Sequence, residues 1–78
     1  MVDNKLRIIR NNIKYYRKTL NFTQETLSEI SGISKDYLSE IERGKKNPSL
    51  KRLIIIAKAL NIEVYKIFMP IIDLDHQL

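Results

Sequence analysis

Apolar residues recur at helical spacing through most of the chain. Leu6, Ile9, Ile13, Tyr16 and Leu20 step by three and four residues, so one helix carries them on a single face with Arg and Lys opposite. Asn21 marks its stop. A second helix is expected from Thr23, whose hydroxyl suits an N-cap, with Glu25 in the first turn where a negative charge complements the helix dipole. Phe22 before the cap and Leu27 inside the helix form a hydrophobic staple, and Gly32 closes it. A third helix repeats the device with Ser34 as cap, Ile33 and Leu38 as staple, Asp36 in the first turn and Gly44 as stop. Only Ser31, Gly32 and Ile33 separate the two, which forces a steep crossing.

A basic loop, Lys45-Lys46-Asn47-Pro48, leads to a fourth helix capped by Ser49, with Leu50, Leu53, Ile54, Ala57 and Leu60 expected inward. A short fifth helix is expected over Glu63 to Phe68, and Pro70 ends it or begins a new element. No segment shows strand alternation. The expected class is all-α: one compact five-helix domain over residues 1–78, with 69–78 as a C-terminal tail.

Composition narrows the chemistry. A chain of 78 residues buries a smaller share of its surface than larger domains and usually needs extra support. With no Cys and His76 as its one His, disulfides and the common zinc patterns are excluded, which leaves oligomerisation. The net charge is +5, carried by the first segment and the middle of the chain; beyond Lys66 the charged side chains are Asp73 and Asp75. A basic body with an apolar tail points to an anionic partner on one side and a protein partner on the other. No apolar run approaches the length of a membrane span, and Met1 to Arg10 lacks a signal-peptide core. A cytoplasmic protein with no membrane partner is expected.

Residues 23–50, TQETLSEISGISKDYLSEIERGKKNPSL, resemble the helix-turn-helix of the phage repressor/Cro family, and the resemblance runs over about residues 6–68. Its specificity lies in the register of two capped helices, the Gly turn, Ile-Glu-Arg-Gly and the Pro-Ser-Leu helix start. The resemblance implies a λ-repressor-like fold, a dimeric transcription regulator and double-stranded DNA as partner, with RNA polymerase as a further candidate. Controller proteins of restriction–modification systems look most similar in length and in the Tyr37-to-Arg43 pattern, although they usually carry Arg where this chain has Lys35. A phage-type repressor or stand-alone regulator is the alternative within the family. Ser28 and Ser31 replace residues that the family usually keeps apolar, Ser28 an Ala, and Glu63 stands where a capping Ser is frequent.

A helix entering the major groove needs a polar outer face over an apolar inner one. Lys35, Asp36, Tyr37, Ser39 and Glu40 lie outward if Leu38 and Ile41 lie inward. The resemblance places base readers at Lys35, Asp36, Ser39 and Glu40. Lys35 can donate to guanine, Asp36 and Glu40 can accept from cytosine N4, and Tyr37 can touch a phosphate or a thymine methyl. The helix dipole is the favoured explanation of Asp36, while Glu40 is left open between reading a base and pairing with a nearby basic side chain. Thr23 and Gln24 open the helix that, in the family, holds a DNA phosphate, with Gln24 also bracing the recognition helix. Arg43, Lys46 and Asn47 match phosphate contacts, while Arg17 and Glu42 match a structural salt bridge.

An enzyme is not expected: no nucleophile–base pair, Gly-rich phosphate loop or metal spacing is present, and no cofactor or small-molecule ligand is implied. A helical module that binds protein remains open, and the basic residues beside the third helix weigh against it. One recognition helix reads too few base pairs for specificity in a genome, which favours a two-fold dimer. Ile67, Phe68, Met69, Ile71, Ile72 and Leu74 form the expected interface, with folding of the tail onto its own core as the alternative.

Overall fold

The computed structural model describes residues 4–71, which contain four α-helices, a short 3-10 helix and no strand. They are α1 (Asn4–Thr19), α2 (Gln24–Ser31), α3 (Lys35–Glu42), α4 (Leu50–Ala59) and a 3-10 turn (Val64–Phe68).

The caps behave as the side chains dictate. Thr23 Oγ1 accepts the Thr26 N–H at 3.0 Å, Ser34 Oγ the Tyr37 N–H at 3.1 Å and Ser49 Oγ the Arg52 N–H at 3.2 Å. Each satisfies one of the amide donors that a helix start leaves without an intrahelical partner. The C-terminal ends of α1, α3 and α4 share one device. Asn21, Gly44 and Asn61 take left-handed φ values of 59°, 79° and 57°. The next amide in each case reaches back to a carbonyl in the last turn: Phe22 to Arg17, Lys45 to Glu40, Ile62 to Ala57. These are Schellman closures, two of them made by Asn, whose short polar side chain tolerates that conformation.

The core is a single cluster: Ile13 from α1, Leu27 from α2, Ile33 from the turn, Leu38 and Ile41 from α3, Leu53, Ile56, Ala57 and Leu60 from α4 and its end, and Ile67 from the 3-10 turn. Both staples are in place, since Leu27 and Leu38 are fully buried and Phe22 packs against the cluster.

Three expectations need correction. The fifth helix is not an α-helix. Glu63 makes no side-chain cap bond, and the segment closes through short-range bonds from Lys66 N–H to Glu63 O and Met69 N–H to Lys66 O. With so few residues and no cap, the tighter 3-10 winding satisfies its backbone. The buried face of α4 is turned from the expected one: Ile56 is fully buried, whereas Leu50 is 61% and Ile54 49% exposed. The run Leu53 to Ala57 is apolar throughout, so spacing alone did not fix its phase. Leu6 of α1 and Leu20 just after it are 37% and 41% exposed, and the buried positions of α1 besides Ile13 are two polar residues, Asn12 and Arg17.

Asn12 explains how the C-terminal end is attached. Its Nδ2 donates to the carbonyls of Ile67 at 2.7 Å and Met69 at 2.6 Å, with Lys66 O at 3.3 Å. The end of a short helix leaves its last carbonyls short of partners, and Asn12 supplies the donor; Lys66 O also accepts the Met69 N–H. Sequence reasoning missed Asn12, although it lies at helical spacing with Ile9, Ile13 and Tyr16, on the apolar face where a buried polar residue must have a partner.

Candidate nucleic-acid interface

The surface that could meet DNA is built on a buried ionic frame. Arg17 Nε and Nη2 donate to Glu42 Oε2 and Oε1 at 2.7 and 2.9 Å, a bidentate pair whose side chains are 10% and 4% exposed. Arg17 Nη1 donates to Phe22 O at 2.7 Å, and Gln24 Nε2 to Glu42 Oε1 at 3.2 Å. Hydrogen bonding to Glu42 holds the Arg17 guanidinium above its ordinary pKa against the opposing effect of burial. One carboxylate at the end of α3 thus fastens α1 and the first residue of α2, and Arg17 ties in the α1–α2 turn. A fork-on-fork pair fixes orientation as well as distance, so α3 is held in angle relative to α1, and the Gln24 bond ties α2 to the same carboxylate.

The turn between α2 and α3 is equally determined. Gly32 adopts a left-handed φ of 76° and donates its N–H to Ser28 O at 2.8 Å. Ser31 Oγ accepts the Ile33 N–H at 3.1 Å, giving the hydroxyl at 31 a role that an apolar residue could not fill.

On α3, Leu38 and Ile41 are buried; Asp36 lies three and four residues before Ser39 and Glu40, and the C-cap Arg43 four and three after them, along the outer side. Lys35 and Asp36 are exposed, and Ser39 and Glu40 are half-buried. Lys35 Nζ lies 3.5 Å from Glu25 Oε1, with both side chains more than half exposed. Such surface pairs contribute little, so Lys35 can leave Glu25 for a base edge. Arg43 Nε donates to Ser39 Oγ at 3.3 Å, which lays the guanidinium back along the helix.

Tyr37 departs from the expected outward placement. It is half-buried, packs against the core, and lies beneath Arg52 of α4, whose guanidinium carbon is 4.6 Å from the ring centroid. Arg52 Nη1 also reaches the Tyr37 hydroxyl at 3.5 Å. The approach of α4 to the start of α3, which spacing along the chain does not show, brings Arg52 to Tyr37. Thr23 Oγ1 is occupied with its cap and Thr26 Oγ1, 3.0 Å away. Lys46 and Asn47 are exposed in the loop after α3, beside Gly44.

The six residues expected at a dimer interface divide. Phe68 and Met69 are 45% and 53% exposed and Ile71 37%, in reach of a second protein. Ile67 is 0% exposed and belongs to the core of its own domain, so it is removed from the interface. Ile72 and Leu74 lie outside the described residues. Among the described residues, no helix is long and apolar enough to cross a membrane.

Comparison with known proteins agrees with this geometry. The family model described as helix-turn-helix matches residues 13–67. Control protein C.SmaI of Serratia marcescens is 45% identical over 60 residues, 77% of this chain and 71% of that protein. The crystal structure of the restriction–modification controller protein C.AhdI from Aeromonas hydrophila superposes with a TM-score of 0.79 at 32% identity, over 85% of this chain and all of that one. SinR, a master regulator for biofilm formation solved in complex with DNA, matches with a TM-score of 0.74 at 35% identity, over 78% of this chain and 98% of that one. The chain belongs to the helix-turn-helix family, whose members are DNA-binding transcriptional regulators and not enzymes.

Proposed function

We propose that this helix-turn-helix protein regulates transcription by binding double-stranded DNA as a two-fold dimer, with α3 in the major groove. The observation that carries the reading is the Arg17–Glu42–Gln24 frame beneath a polar outer stripe. A helix fixed at both ends, with its polar side unobstructed, can place side chains on base edges without losing entropy on docking. Lys35 is the donor for guanine, and Ser39 and Glu40 are the other candidate base contacts. Arg43, Lys46, Asn47 and the α2 start at Thr23 and Gln24 position the duplex through its phosphates. Asp36 serves the α3 dipole. Likeness to a control protein and to a restriction–modification controller protein favours a controller role over a phage-type repressor.

Phe68, Met69 and Ile71 support dimerisation through the C-terminal end, where exposed apolar residues gather and Asn12 fixes the backbone. Selection of bound sites from a random duplex pool tests the reading. A two-fold consensus with half-sites about one helical turn apart is expected. Recovery of unrelated sequences with no consensus would remove sequence-specific recognition from this protein.

A further inference from the structure

A cleft of about 220 Å³ opens between the first half of α1 and the loop that follows α3. Arg7, Arg10, Lys46 and Asn47 form its polar rim over Ile41, and no carboxylate lines it. The Arg10 side chain crosses directly over Gly44, where a Cβ would collide with Arg10 Nη1. Glycine at 44 therefore does two things: it takes the left-handed φ of 79° that closes α3, and it leaves room for a guanidinium against the backbone. Arg10 is half-buried in this seat. Among the described residues, the side chains of Arg7, Arg10 and Lys46 have no hydrogen-bond or ion-pair partner.

Three cations gathered without an acid repel one another, and an anion between them turns that cost into attraction. Arg10 also differs from a solvated surface arginine because it is half-buried with its guanidinium against Gly44, and its planar fork can bind two oxygens. The cleft adjoins Lys46 and Asn47, the residues assigned above to the DNA backbone. We propose that Arg10, assisted by Arg7, binds a backbone phosphodiester of the duplex, so that α1 grips the DNA beside the helix-turn-helix. This rests on the DNA-binding reading and extends the contact surface to a helix outside the motif.

The test uses the full chain, its selected duplex, and binding followed by fluorescence anisotropy over a salt series. Arg10→Ala should weaken binding about threefold to tenfold and flatten the slope of log K against log salt by about one unit, equally for good and poor sites. Arg10→Gln, which keeps much of the side chain over Gly44 without its charge, should lose the same slope. Arg10→Lys should recover it. Folded Arg10→Ala and Arg10→Gln proteins with wild-type affinity and slope would overturn the inference while leaving DNA binding intact. Failure of the wild-type chain to bind any duplex would overturn the reading on which it rests. Inorganic phosphate provides the other arm: millimolar binding that shifts Arg10 resonances, joined to unchanged DNA slopes in the variants, would make the cleft a free-anion site and refute the duplex assignment.

Discussion

The two ends of the molecule solve the problem of holding a surface still in opposite ways. At α2 and α3, every boundary is set by a local signal and then locked by charge: caps at Thr23 and Ser34, a left-handed Gly32, and one carboxylate, Glu42, shared by Arg17 and Gln24. At the C-terminal end the 3-10 turn has no cap, the flanking Phe68 and Met69 are exposed, and attachment depends on Ile67 in the core and on Asn12 bridging carbonyls. The first region presents polar groups on a rigid base, which suits the reading of base edges. The second presents apolar groups on a lightly held base, which suits association with another protein surface. Rigidity is concentrated where hydrogen-bond geometry discriminates, and apolar exposure where burial is non-directional.

The largest effect should come from breaking the ionic frame. Glu42→Ala leaves Arg17 charged, buried and without its carboxylate, and should lower stability by about 3 to 5 kcal/mol in urea unfolding. A loss below about 1 kcal/mol, the size of an ordinary surface pair, would mean that packing alone sets the angle of α3. Next comes the other end. Asn12→Ala removes the donor shared by the last carbonyls and should cost about 1 to 3 kcal/mol. Amide exchange should rise around Ile67 to Met69 while α2 and α3 keep their protection. Equal loosening of both regions would show that the two ends are not separately held.

Lys35→Ala should relax base preference at one position in each half-site by about 1 to 3 kcal/mol, with no change in unfolding midpoint, because its pairing with Glu25 is exposed. An unaltered consensus would move recognition to Ser39 and Glu40. Phe68→Lys should weaken self-association at least about tenfold in sedimentation, close to 1.4 kcal/mol. A point change is better than truncation after Phe68, which would also delete the Met69 carbonyl that Asn12 binds. A dimer that withstands Phe68→Lys would place the interface elsewhere. The smallest effect is expected at Leu50, where Leu50→Gln should change stability by no more than about 0.5 kcal/mol because the side chain is already 61% exposed. A large loss there would restore the face of α4 that spacing alone suggested.

Sequence by itself determined what rests on neighbours along the chain. The three N-caps, both staples, the Gly32 and Gly44 stops, the all-α class and the outward polar stripe of α3 depend on groups a few residues apart, and residue type suffices to read them. The Arg17–Glu42 pair was legible only through the family resemblance, since 25 residues separate its partners. Tertiary structure alone decided the rest. It chose Ile56 over Ile54 as the buried residue of α4, because an unbroken apolar run satisfies several helical phases until a partner surface selects one. It set Tyr37 beneath Arg52 and Arg10 over Gly44, pairs that meet only when α4 and α1 close on α3. It made Asn12 a core residue and wound the last segment as a 3-10 turn, because the carbonyls that Asn12 bridges are brought to α1 only by folding, across more than 50 residues of chain.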